Sequence, residues 1–170
     1  MPRITADEVI GLLGLRPLPE EGGYFVQTHR AADVAVEALP AGSTGARPGK
    51  TAIYYLVTPL EFSALHRLPG DEMFHYYLGD PVDQVRLWPE GGGEVVRIGA
   101  DLRAGQRPQV LVPGGVWQGA RLVVGGPHGF ALLGTTMAPG FDFADYEGGE
   151  RARLVAAYPA FRGWIEALTR

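Results

Sequence analysis

The chain has 170 residues, 25 of them Gly and 14 Pro, and no Cys, so it must turn often without any disulfide to hold it, while a hydrophobic fraction of 46% excludes whole-chain disorder. At this length a single core buries roughly 70% of the unfolded surface, so no metal or disulfide is needed merely to fold. Formal charge is 15 − 19 = −4 with the basic residues scattered singly, and no apolar run approaches a membrane span, so neither nucleic acid nor a membrane is an expected partner and the chain reads as one cytoplasmic domain, residues 1–170.

Thr5-Ala6-Asp7-Glu8 has the capping-box form and precedes apolar Val9, Ile10, Leu12 and Leu13, which predicts a short helix ending near Gly14. Pro17 and Pro19 then carry extended chain to Glu20-Glu21-Gly22-Gly23, where paired glycines permit a tight turn before the β-rich run Tyr24-Phe25-Val26-Gln27-Thr28. Residues 39–50, rich in Ala, Gly and Pro, read as a mobile loop. Eight short β-type runs follow, at 51–58, 62–68, 72–78, 82–88, 94–98, 109–112, 119–124 and 130–137, each bounded by Gly or Pro. Short strands at this spacing predict an all-β sandwich or barrel of antiparallel strands. Some runs are apolar on both parities, as in Ala131-Leu132-Leu133, so their outer faces need cover from terminal helices or a partner chain. From Arg151 the apolar period becomes helical, interrupted by Pro159, and predicts two short closing helices.

With no thiolates, any chemistry falls to oxygen and nitrogen groups. Of the four histidines, His29 and His128 read as solvated surface residues, while His66 and His75 bracket Asp71 and Glu72 on two runs joined by Pro69-Gly70. Read as a hairpin, this segment puts His66 on one face with Ala64 and Phe62 and returns Glu72 beside it; Phe74, Tyr76 and Leu78 share the face of Glu72, and His75 joins only if the strand bulges. A structural His–Glu ion pair is the competing reading of the same residues. Val112-Pro113-Gly114-Gly115-Val116-Trp117-Gln118 places a sharp turn before an aromatic and an amide that can point inward. Neither a phosphate loop nor a nucleophile-elbow serine is present; Ser43 lies in the loop and Ser63 leads a strand.

The order of these residues resembles the cupin superfamily. His66, Glu72 and Gly79 fit its first motif, with Leu68 in place of the second His; Pro113-Gly114-Gly115 and Gln118 fit its second, with Gln replacing His. Six segments resemble the branch often called cupin 5: Glu21-Gly22-Gly23-Tyr24-Phe25, Thr51-Ala52-Ile53-Tyr54-Tyr55-Leu56, Ser63-Ala64-Leu65-His66-Arg67, the run from Asp71 to Pro81, the run from Val112 to Gln118, and Gly140-Phe141-Asp142-Phe143. The resemblance implies a double-stranded β-helix, or jelly-roll barrel, with a short N-terminal helix and one or two short C-terminal helices. It further implies a homodimer and a small-molecule pocket around His66, Glu72 and Gln118, to which Tyr24, Gln27, Arg30, Ser63, Phe74, His75 and Trp117 are candidate contributors.

Three functions compete. Similarity to sugar-nucleotide 3,5-epimerases suggests acid–base isomerisation of a small polar molecule, with His66 as base, Glu72 orienting it, and Tyr76 or Tyr24 as acid. Metal-dependent cupins hold a divalent ion on three His and one Glu, which here would leave His66, Glu72 and Gln118 as a weak donor set, with His75 added if its strand bulges. Germins and seed storage proteins suggest a non-catalytic, storage-like dimer that uses the barrel as a pocket.

Overall fold

A computed structural model describes residues 3–35, 37, 39 and 45–170. Thr5 caps helix α1, Ala6–Leu13, in a complete capping box, and Gly14 closes it in the left-handed conformation, φ 66°. The next elements are β1, Arg16–Pro17; β2, Tyr24–Arg30; β3, Asp33–Val34; and β4, Arg47–Pro48. The eight runs expected between 51 and 137 all form strands: β5, Thr51–Val57; β6, Ser63–Arg67; β7, Glu72–Gly79; β8, Val82–Leu87; β9, Gly93–Ile98; β10, Gln109–Val112; β11, Trp117–Leu122; and β12, Ala131–Met137. The C-terminal elements are β13, Glu147–Gly148; α2, Arg151–Ala157; and α3, Arg162–Ala167, with the break at Pro159 taken up by a 3-10 turn, Pro159–Phe161.

Two antiparallel sheets face each other. One has the order β1-β2-β5-β12-β7-β10, the other β13-β6-β11-β8-β9, and β3 pairs with β4 beside them. Between the sheets lies a core that includes Tyr55, Phe74, Val82, Ile98 and Leu133. The outer face of the five-stranded sheet is covered by α2 and α3 through Leu65, Leu87, Trp117, Leu154 and Ile165. Part of the outer face of the six-stranded sheet is covered by α1, whose Val9 packs with Leu56, Phe130 and Leu132. Strands apolar on both parities are thus explained by terminal helices.

Two sequence expectations change. Strands β6 and β7 do not form a hairpin, because the Pro69-Gly70 link carries the chain from one sheet to the other. His66 and Glu72 therefore approach across the sandwich. Of the segment expected as a mobile loop, residues 40–44 lie outside the described ones, but its end is pinned: Arg47 and Pro48 are buried in β4 against β3. The Arg47 guanidinium there grips Asp145 through two bonds of 2.8 Å.

Candidate functional site

A cavity of about 210 Å³ opens between the sheets at one end of the barrel. Glu21, Glu72 and Asp142 bring carboxyl groups to its wall, Phe25, Phe141 and Phe143 bring rings, and Gln27 and Thr135 bring neutral polar groups.

Glu72 opens β7, and Gln118 belongs to β11 in the opposite sheet. Their meeting is arranged by two turns packed back to back. Gly114 N–H donates to the Asp71 carboxylate at 2.8 Å, and Gly115 N–H to the Leu68 carbonyl at 2.7 Å. A Cβ on Gly114 would stand 2.2 Å from the Pro69 carbonyl oxygen, so only glycine allows this approach. Across the gap the Gln118 Nε2–H donates to Glu72 Oε2 at 2.7 Å, and Gln84 Nε2 lies 3.5 Å from Gln118 Oε1. Burial pushes the Glu72 carboxyl above its ordinary range, and the charge of Glu21 adds to the shift; His66, Gln118 and Thr135 oppose it.

Glu21 is held by the loop of residues 18–23. Leu18 N–H donates to the Gly23 carbonyl, Gly22 N–H to the Leu18 carbonyl, and Ala64 N–H to Glu21's own carbonyl at 2.8 Å. The Tyr55 hydroxyl donates to the Gly22 carbonyl at 2.9 Å. Gly22 and Gly23 have φ of 93° and 73°, the left-handed region that glycine enters without strain. One Glu21 oxygen accepts from the Ser63 hydroxyl at 2.7 Å, and the other faces His66 Nε2 at 4.0 Å. His66 Nδ1–H donates to the Ala64 carbonyl at 2.8 Å, which turns Nε2 toward Glu21. Tyr146 stacks on the imidazole at 5.1 Å, with its phenol pushed upward by burial and by the charges of Glu21 and Glu20.

A bulge explains why both Ser63 and His66 reach this site. β6 pairs Gln118 with His66 but Ala120 with Ser63, so one extra residue of β6 shifts the alternation. Ser63 faces inward in consequence, while Phe62 packs toward the helices, contrary to the parity read from sequence.

The sequence candidates are distributed as follows. His66, Glu72, Gln118 and Ser63 come together, and Gln27 lines the cavity. Phe74 is buried in the barrel core next along the inward face of β7. Tyr76 faces the same core, but its hydroxyl donates to the Gly79 carbonyl, at the opposite end of β7 from Glu72. His75 turns to the outer face, where its Nε2 lies 3.0 Å from the Thr136 hydroxyl and its ring stacks on Tyr77. Trp117 packs under the C-terminal helices with Arg67 over its ring, and Tyr24 packs toward α1. Arg30 is exposed and paired with Asp33.

Sequence reasoning missed Glu21, Phe25, Phe141, Phe143 and Tyr146 as site residues. The glycine pair after Glu21 was a usable signal, since a left-handed turn fixes the direction of the residue before it.

The donor set does not suit a divalent ion. Leu68 occupies one expected imidazole position in the cavity wall, and Gln118 presents N–H to Glu72 with its carbonyl turned toward Gln84. Among the described residues no group of three or more His, Cys, Asp or Glu is arranged to hold a metal. No helix among them is long and apolar enough to cross a membrane.

Residues 7–148 match the family model described as Cupin superfamily (DUF985). The chain is a cupin. Among curated proteins, it is similar to the uncharacterized protein YML079W of Saccharomyces cerevisiae, 31% identical over an alignment of 134 residues, with 74% of this chain and 66% of the yeast protein covered. Among solved structures, a hypothetical protein from Leishmania major is 33% identical with a TM-score of 0.87, covering 98% of this chain and 99% of that one. Protein SO0799 from Shewanella oneidensis is likewise 33% identical, with a TM-score of 0.85 and 99% coverage of both. The oxalate decarboxylase of Bacillus subtilis, 14% identical with a TM-score of 0.52 over 91% of this cupin and 37% of that chain, shares the fold.

Proposed function

We propose that this cupin is an acid–base isomerase of a small polar molecule, working with Glu21 and Glu72 on the two sides of the cavity. One observation carries the reading: two carboxyl groups border the same enclosed space, and the buried one is held above its ordinary pKa partly by the charge of the other. In that arrangement Glu21 takes a proton from a C–H beside a carbonyl, and Glu72 returns one to the opposite face of the carbanion. Proton count and redox state are unchanged, so no co-reactant is required. His66, buried behind Glu21 and fixed by the Ala64 carbonyl, is the positioning residue.

The test is exchange of substrate C–H with solvent deuterium, followed by NMR across a panel of ketoses, aldoses and amino sugars. Exchange on at least one compound is expected, with a loss of roughly 10²-fold or more in Glu72→Gln, the scale of one general acid. Absence of exchange across the panel, or an undiminished Glu72→Gln, overturns the reading.

A second reading, a binding cupin without catalysis, is favoured by the near-complete burial of His66, at 1% exposure. In the same assay it predicts binding without exchange. Homodimerisation belongs with either reading; the exposed Tyr77, Leu78 and Leu111 on the six-stranded sheet support it, and light scattering decides it.

A further inference from the structure

The hydrogen-bonding groups around the cavity are unbalanced. Acceptors dominate: Glu21 accepts from Ser63 with one oxygen and turns the other toward His66 Nε2 at 4.0 Å, and Glu72 accepts from Gln118. Behind them Gln84, at 0% exposure, has an Oε1 with no hydrogen-bond partner. A buried acceptor without a donor costs about 1–3 kcal/mol, so carboxylate oxygens on the cavity wall favour a ligand that brings N–H or O–H groups.

Charge points the same way. Glu21, Glu72 and Asp142 line the cavity, and among the described residues no Lys, Arg or His does. Arginines around it have partners of their own: Arg47 holds Asp145, with Asp142 also in its field, Arg170 meets Glu61, and Arg16 lies over the Phe25 ring at 5.8 Å. A phosphate or carboxylate entering here would meet like charge, with no Lys or Arg among the described lining residues to offset it. Phe25, Phe141 and Phe143 supply ring faces, with Phe141 and Phe143 edge to face at 5.0 Å, and such faces attract cations. The volume of about 210 Å³ exceeds the ~150 Å³ that admits a benzene ring, so it suits one ring with a short substituent.

We propose that the ligand of this cavity is a compact organic amine, bound as its ammonium form between the Glu21 carboxylate, the Glu72 carboxyl group and the phenylalanine rings. The inference rests on the cavity being the ligand site, as in the proposed function, but not on catalysis there. It separates this cupin from one that takes an anionic sugar nucleotide.

Calorimetric titration at low salt with benzylamine, benzyl alcohol and benzoate, three probes of one shape, tests it. Benzylamine is expected to bind at least tenfold more tightly than benzyl alcohol, with benzoate weakest. Glu21→Gln, which keeps an acceptor for Ser63, and Asp142→Asn, which keeps one for Ala144 N–H, are each expected to weaken benzylamine severalfold while leaving benzyl alcohol within twofold. Equal or tighter binding of benzoate or benzyl alcohol overturns the proposal, as does binding of none of the three, or unchanged affinity in both variants. Amine binding without deuterium exchange would instead defeat the isomerase reading alone, and exchange confined to neutral sugars would defeat the amine alone.

Discussion

The same strands build both ends of the barrel interior, yet one end is hollow and acidic and the other is solid and apolar. On β5, Thr51 and Ile53 border the cavity while Tyr55 and Val57 lie in the core. On β12, Thr135 borders it while Leu133 and Ala131 are packed, and on β7 Glu72 does so while Phe74 is packed. Register puts the change at the same level on β5 and β12, where Ile53 pairs with Thr135 and Tyr55 with Leu133, while on β7 the packed Phe74 already pairs with Thr135. Stability and function are thus separated by two or three residues along each strand, and the solid end supports a polar cavity that buries a carboxyl at a cost.

Breaking the solid end has the largest expected effect. Phe74→Ala leaves a void in a fully packed region and is expected to cost about 3–5 kcal/mol, read by denaturant unfolding; a cost below ~1 kcal/mol would show that the two ends are equally loose. Next comes the loop that aims Glu21. Gly23→Ala puts a Cβ 2.7 Å from the Tyr55 ring and 2.9 Å from the Leu56 carbonyl at φ 73°, and is expected to cost about 1–3 kcal/mol while displacing Glu21. Ligand affinity or exchange should fall in this variant at temperatures where the fold persists.

The smallest effect, and the sharpest test, is at Glu72. Its folded pKa is raised above the ordinary 4.5, so between 4.5 and the folded value the native state holds a proton that the unfolded chain has released. The associated stability is complete below pH 4.5 and is lost as pH rises through the folded value. Glu72→Gln, which keeps an acceptor for Gln118, is therefore expected to gain thermal stability relative to wild type as pH rises from 4.5 through the folded value. Melting temperatures at several pH values check it: a difference that is flat, or that narrows as pH rises, contradicts a raised carboxyl. Phe74→Ala should show no such pH dependence.

Much of the frame was legible because it rests on local chemistry. The capping box at Thr5 and Glu8 formed as read, and every β-run between 51 and 137 became a strand, since Gly and Pro punctuate the chain wherever it must reverse. The convergence of His66, Glu72 and Gln118 was legible too, through motif spacing. Their geometry was not. Treating Pro69-Gly70 as a hairpin turn placed His66 and Glu72 side by side on one sheet, whereas the turn bridges two sheets; the same two residues serve either connection. Parity on β6 also failed, because a bulge is a two-strand property that one strand's sequence does not display.

By itself, then, the sequence determined an all-β sandwich or barrel with short terminal helices, because hydrophobic period and turn residues act over a few positions, and the spacing of its motifs carried the resemblance to cupins. Only the tertiary structure decided that Glu21 and Glu72 face one cavity, that His66 stands behind them, and that Tyr76, His75 and Trp117 point elsewhere. Glu21 lies 45 residues before His66 by their numbers, and what unites them is the packing of a glycine-turned loop against a bulged strand. Such proximity is fixed by the whole fold, and no local pattern encodes it.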